Sequence, residues 1–177
     1  MIRDKTEYLE YLLEDDRVNG TDHGVWRYLS FTRKYLRTLR KYEYIKNCHK
    51  GHSLSELIVR YRLYRLSVKT GISIPANTFG KGLKIPHHGT IVVNYSARFG
   101  DYCVIQAGVN ISEKVQGGNH IYFGTGSKIM VGCHLANDII VGANAVVTKD
   151  FLEDNICLGG VPASKISNRG FLDRDDV

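Results

Sequence analysis

The chain has 177 residues, 43% of them apolar, and a formal net charge of +6. It can bury a real core, as one large domain or as a main body with an appendage. No apolar run approaches the ~20 residues that span a bilayer, residues 1–7 lack a secretory core, and the four cysteines show no metal-type CxxC spacing, so a cytoplasmic protein without a metal site is expected.

Residues 4–16 read as a short helix. Asp4 with Glu7 resembles a capping box, and Tyr8, Leu9, Leu12 and Leu13 fall at helical spacing. Residues 19–22 are a turn signal. Leu29, Leu36, Leu39 and Ile45 predict a longer helix over 25–44, broken across 47–51. This region is strongly basic: residues 27–50 carry eight Lys/Arg against one acid, Glu43, with Tyr28, Phe31, Tyr35, Tyr42 and Tyr44 interleaved. The bland reading is a docking helix with a wet basic face. The functional alternative is peripheral contact with an anionic glycan or membrane surface. Nucleic acid is not expected as a partner, because no recognition motif accompanies the charge. Ser53 with Glu56 forms a second capping box and opens a third helix, which ends at Thr70 with Gly71 as its cap.

Pro75 marks the change to extended chain. From His87 to Val147 the sequence repeats in sixes. Val93, Phe99, Ile105, Ile111, Phe123, Ile129, Leu135, Val141 and Val147 share one phase. Ile91, Ala97, Cys103, Val109, Val115, Ile121, Ser127, Cys133, Ile139 and Ala145 share a second. No helix or plain strand has this period, whereas a hexapeptide repeat stacks into a parallel β-helix. Glycine follows the first phase at Gly100, Gly118, Gly124 and Gly142, where the chain turns a corner. Cys103 and Cys133 are then small buried side chains. Three units are expected: an N-terminal helical region over 1–70, the β-helix over 71–157 and a C-terminal tail over 158–177 that leaves the prism.

His87 occupies the phase that most coil sides fill with Val, Ile, Leu or Phe. An imidazole there is costly unless hydrogen-bonded, and imidazole suits proton transfer near neutrality. By itself it reads as a satisfied structural histidine; its surroundings tip the balance towards function.

The local string is Ile85-Pro-His-His-Gly-Thr-Ile-Val-Val-Asn. With the repeat, it resembles the left-handed β-helix acyltransferases, in the branch of serine acetyltransferases and polysaccharide O-acetyltransferases. Matching the Ile-Val steps puts the catalytic histidine of that family on His87. Matching His-Gly-Thr by identity puts it on His88. The repeat phase favours His87, and the sugar O-acetyltransferase pattern His-x-Gly-Thr-Ile-Val-Val-Asn fits His87 without a gap. Gly160-Val-Pro-Ala-Ser-Lys resembles the exit motif that lies along the CoA groove, and residues 141–149 resemble the final coil. The resemblance covers about residues 55–169.

The resemblance implies a mainly β fold, a left-handed β-helix with an N-terminal α-helical cap, assembled as a homotrimer. It implies acetyl-CoA as co-substrate, with His87 as general base on an acceptor hydroxyl. Gly124, Thr125, Gly142, Ala143 and Pro162 are candidate CoA contacts, and Lys149 and Lys165 are charge partners for its phosphates. Serine acetyltransferases carry an Asp fifteen positions before the catalytic His and another immediately before it; here those positions are Ile72 and Pro86. The expected acceptor is therefore a sugar or glycan hydroxyl, in surface polysaccharide biosynthesis. Serine O-acetylation, acetylation of a small antibiotic and a non-catalytic scaffold are the alternatives. Asn94 is one candidate to orient His87, and His120 is expected to be a corner or surface residue.

Overall fold

Residues 1–21, 24–49 and 54–173 are described by the structure, a computed structural model. Four helices precede the β-helix: α1 (Lys5–Val18), α2 (Trp26–Leu29), α3 (Phe31–Cys48) and α4 (Leu54–Thr70). Asp4 caps α1 by accepting from Glu7 N at 2.9 Å, but the Glu7 carboxylate reaches back to Arg3 N rather than closing the box. The expected helix over 25–44 is two helices. Ser30 turns extended and accepts from Arg33 N, starting α3 afresh, and α3 then runs through Cys48. Gly71 (φ +71°) ends α4 as expected, its N–H returning to Ser67 O. Ser53, the expected cap of α4, lies outside the described residues.

The repeat forms a left-handed parallel β-helix with three faces. One face stacks β1 (Ile72–Ser73), β2 (Ile91–Val93), β4 (Asn110–Ile111), β7 (Lys128–Ile129) and β10 (Val146–Val147). The second carries β5 (Gln116–Gly117) and β8 (His134–Leu135). The third stacks β3 (Val104–Ile105), β6 (Tyr122–Phe123), β9 (Ile140–Val141) and β11 (Cys157–Gly159). Both inward phases are buried, from Ile91 and Val93 to Ala145 and Val147, and they form one continuous core with Tyr35, Leu36 and Leu39 of α3. Cys103 and Cys133 are buried and unbridged, as expected.

The tail does not leave the prism at residue 158. Ile156 and Leu158 remain in the core, and β11 pairs parallel with β9. The chain then folds back as β12 (Ser164–Ser167), antiparallel to β11. The sixes hid this last rung because its register against β9 is one residue short: Cys157 pairs with Ile140.

At the other end the first coil has no coil above it, and its backbone groups need partners. The helices supply them with side chains. Tyr35 Oη accepts from Ile74 N and donates to Ile74 O (2.9 and 3.2 Å). Glu43 accepts from Asn77 N (2.7 Å), Asp15 from Leu83 N (2.9 Å) and Asn19 from Ile85 N (2.9 Å). Arg40 donates to Phe79 O and Gly80 O. Part of the expected wet basic face is thus turned to acids of the helical region, at Arg33, Arg37 and Arg40, while Lys41 and Lys46 stay exposed. Arg40 is fully buried between Asp15 and Glu43; burial opposes its charge, but the two carboxylates outweigh that and raise its pKa. Arg33 and Arg37 both bind Asp16 at 2.7 Å. The acids that match these bases stand mostly on α1, so α3 read in isolation looks unpaired. Among the described residues, no helix is long and apolar enough to cross a membrane.

Candidate active site

The rung length decides where each candidate side chain stands. Val92 pairs with Asn110 and Asn110 with Lys128, a spacing of 18 residues. The first coil breaks the rule. Ile72 pairs with Ile91, and Lys84 pairs with Val104, 20 residues on. Ile85, not His87, therefore fills the inward slot above Ile105; Ile85 is buried, and His87 and His88 are exposed. The shared phase of His87 was a coincidence of counting. Five residues (86–90) turn this corner where three (106–108) turn the next, and the extra two carry the histidines outwards.

The lengthened turn is held by its neighbours. Gly89 N donates to Thr70 O at 3.0 Å, tying the turn to the end of α4. Gly89 has φ +151°, and a Cβ there would sit 3.1 Å from Ala107 Cβ, so only glycine fits without adjustment. Among the described residues neither His87 nor His88 makes a hydrogen bond or ion pair. Asn94 does not orient His87: it stands on another edge of the prism, where Oδ1 accepts from Ser96 N and Oγ. Ile72 is fully buried, paired with Ile91, so no polar group of this chain occupies that position.

Below the histidine turn, the same edge stacks residues 106–108, 124–126 and 142–144. Ala163 N bonds to Val146 O, which brings the exit turn containing Pro162 to the foot of this edge. His87, Gly124, Thr125, Gly142, Ala143 and Pro162 are thus gathered along one edge. Gly124 and Gly142 are needed for the stacking: a Cβ at 124 would lie 2.7 Å from Ala143 N and Val141 O, and one at 142 would lie 2.9 Å from Leu158 O. Their N–H groups are not free, because Gly124 donates to Val141 O and Gly142 to Leu158 O, both at 2.8 Å. Thr125 and Ala143 are exposed residues whose N–H groups make no hydrogen bond among the described residues, and they are the donors this edge offers to a ligand.

The two lysines are placed differently. Lys165 lies in β12, just past Pro162, and binds Glu153 at 2.6 Å. Lys149 stands on a different edge, its Nζ 5.6 Å from the Phe151 ring centroid.

A polar cluster on the third edge escaped sequence reasoning. His120 Nδ1 is 3.0 Å from Asp138 Oδ1, and the ring stacks between Tyr102 and Phe171 beside a cavity of about 380 Å³ that Arg17 and Lys84 also line. Tyr102, His120 and Asp138 all have φ between 52° and 60°, a conformation uncommon outside glycine. The readable signal was their common spacing of one rung.

No family model matches the chain. A serine acetyltransferase of Synechococcus elongatus is 30% identical over 110 residues, 57% of this chain and 45% of the relative. One from Helicobacter pylori is 32% identical over 99 residues, 51% of this chain and 58% of the relative. The chain spans about half the length of these curated relatives. A Brucella abortus serine acetyltransferase solved in complex with coenzyme A superposes with a TM-score of 0.76 and 22% identity, over 94% of this chain and 70% of that one. The soybean serine acetyltransferase apoenzyme gives 0.74 and 18%, over 92% and 70%. The chain thus shares its β-helix fold with solved serine acetyltransferases, and the curated relatives it resembles in sequence are serine acetyltransferases too.

Proposed function

We propose that the chain is an acetyl-CoA-dependent O-acetyltransferase in which His87 is the general base and L-serine the acceptor. The observation that carries the reading is the shared edge. An exposed histidine turn stands above two stacked corners whose central N–H groups, on Thr125 and Ala143, have no hydrogen-bond partner among the described residues. The likeness to serine acetyltransferases supports both the co-substrate and the acceptor; it favours serine over the sugar that Ile72 and Pro86 alone suggest.

The chemistry is a direct transfer. His87 takes the hydroxyl proton as the acceptor oxygen attacks the thioester carbonyl. The tetrahedral intermediate collapses, the C–S bond breaks, and the CoA sulfur leaves, taking up the proton held on the imidazolium. The Thr125 and Ala143 N–H groups bind carbonyl oxygens of the pantetheine arm along the edge. Lys165 meets the CoA phosphates, exchanging Glu153 for a stronger anion. A homotrimer in the cytoplasm, where acetyl-CoA is available, completes this reading.

A specific observation favours a second acceptor class. Ile72 is buried in the strand pairing and Pro86 is exposed in the turn, so neither position offers a carboxylate to the amino group of serine. A sugar hydroxyl needs no such partner. The test is thiol release from acetyl-CoA over L-serine and a panel of sugars and oligosaccharides. Release with L-serine supports the proposal, release with a sugar alone replaces the acceptor, and release with neither, without CoA binding, refutes the enzyme reading.

A further inference from the structure

A second cleft, of about 460 Å³, opens where α3 and α4 meet the first coil, and it has no part in the chemistry above. Lys46 of α3, Arg60 of α4 and Arg98 of the second coil line it, and no Asp or Glu does. None of the three cations forms an ion pair among the described residues. This contrasts with Arg33, Arg37 and Arg40 on the same helix face as α1, each matched by a carboxylate. Arg98 is held in place by its own corner, Nη1 donating to Tyr95 O (2.8 Å) and Ala97 O (2.6 Å). Its remaining guanidinium donors stay available to an anion.

The other prominent walls are aromatic. Tyr42, Tyr64 and Tyr95 line the cleft, and Tyr64 and Tyr95 are 64% and 74% exposed. Rings this exposed, standing around a cluster of unmatched cations, gain nothing from the core. They present flat apolar faces with a hydroxyl at the tip, which suits the C–H face of a sugar ring. Three cations lining one cleft without a carboxylate suit an anionic substituent on that ring.

We infer that this cleft binds an acidic sugar, a carbohydrate ring carrying a phosphate or carboxylate group. Lys46, Arg60 and Arg98 hold the anion, and Tyr42, Tyr64 and Tyr95 cradle the ring. The cleft lies beside Tyr95 at one end of the face that carries β1 and β2, and the histidine turn lies at the other end. The inference therefore does not depend on acetyl transfer.

The test is direct binding by calorimetry on the full chain, with four probes: a hexose 1-phosphate, a hexuronate oligosaccharide, a neutral oligosaccharide of the same length, and inorganic phosphate. At least one acidic sugar is expected to bind, at least roughly tenfold tighter than the neutral oligosaccharide and inorganic phosphate. The two acidic probes separate a phosphate-bearing ligand from a carboxylate-bearing one. Lys46→Gln with Arg60→Gln, both exposed positions, should weaken acidic-sugar binding by roughly tenfold or more. Tyr64→Ala should weaken it while leaving inorganic phosphate unchanged. Equal affinity for inorganic phosphate, equal affinity for the neutral oligosaccharide, no binding of either acidic sugar, or binding indifferent to these variants would each overturn the inference.

Discussion

Replacing Arg40 with methionine removes the cation from a cluster in which Arg40, Asp15 and Glu43 are all buried. Arg40 Nε donates to Asp15 at 2.8 Å and Nη1 to Glu43 at 3.0 Å, while Phe79 O accepts at 3.0 Å and Gly80 O at 2.5 Å. Methionine fills much of the space, so the loss is electrostatic. Two buried carboxylates are left without their shared counter-charge, and two first-coil carbonyls lose their donor. Removing one partner of a buried ion pair costs about 3–5 kcal/mol. For a domain of this size that lowers the melting temperature by roughly 6–20 °C. Urea unfolding followed by circular dichroism measures it. Adding Asp15→Asn and Glu43→Gln to Arg40→Met should recover part of the loss, because the uncompensated charges are then gone. A loss below about 1 kcal/mol for Arg40→Met, or a triple variant weaker than the single one, would refute the view that α1 and α3 seal the first coil through this cluster.

Three further outcomes follow from the same packing. Tyr35→Phe strands Ile74 N and O, and should cost about 1–3 kcal/mol in the same unfolding assay. Gly124→Ala forces a Cβ against Ala143 N and Val141 O and should cost about 1–3 kcal/mol, whereas Thr125→Ala, at an exposed corner, should leave the melting temperature nearly unchanged. Burial pushes the Cys103 thiol up from 9.0 to about 12. The folded state thus holds that proton more tightly than the unfolded chain. The contribution is fully present below about pH 9 and is lost as pH rises towards 12, by up to ~1.4 kcal/mol per pH unit. Unfolding of wild type and Cys103→Ala compared at about pH 8 and about pH 10.5 should show the gap in stability shifting against wild type at the higher pH; a constant gap would contradict the shift.

The β-helix was legible because both inward phases repeat on one arithmetic, and every rung from Ile91 to Val147 obeys it. Helix ends were legible at Asp4 and Gly71, where capping is local. What failed was non-local. Nothing in the string 85–91 announces that Ile85 takes the inward slot, because that depends on pairing with a strand 20 residues away. The basic stretch was visible, but its matching Asp15 and Asp16 belong to another helix. His120 and Asp138 meet only through the stacking of coils. The site was half legible. The edge holding Gly124, Thr125, Gly142, Ala143 and Pro162 was readable from resemblance. The exposure of His87 and the engagement of the Gly124 and Gly142 N–H groups needed the register.

The general base is tested most directly by acetyl-CoA turnover in His87→Ala and His88→Ala, with whichever acceptor supports release in wild type. Both positions are exposed in one turn, so neither change should disturb folding, and melting curves check this. His87→Ala should lose at least about 100-fold in kcat, with CoA binding retained, while His88→Ala stays within a few-fold of wild type. Turnover preserved in His87→Ala would contradict the account, and loss confined to His88→Ala would move the base by one residue.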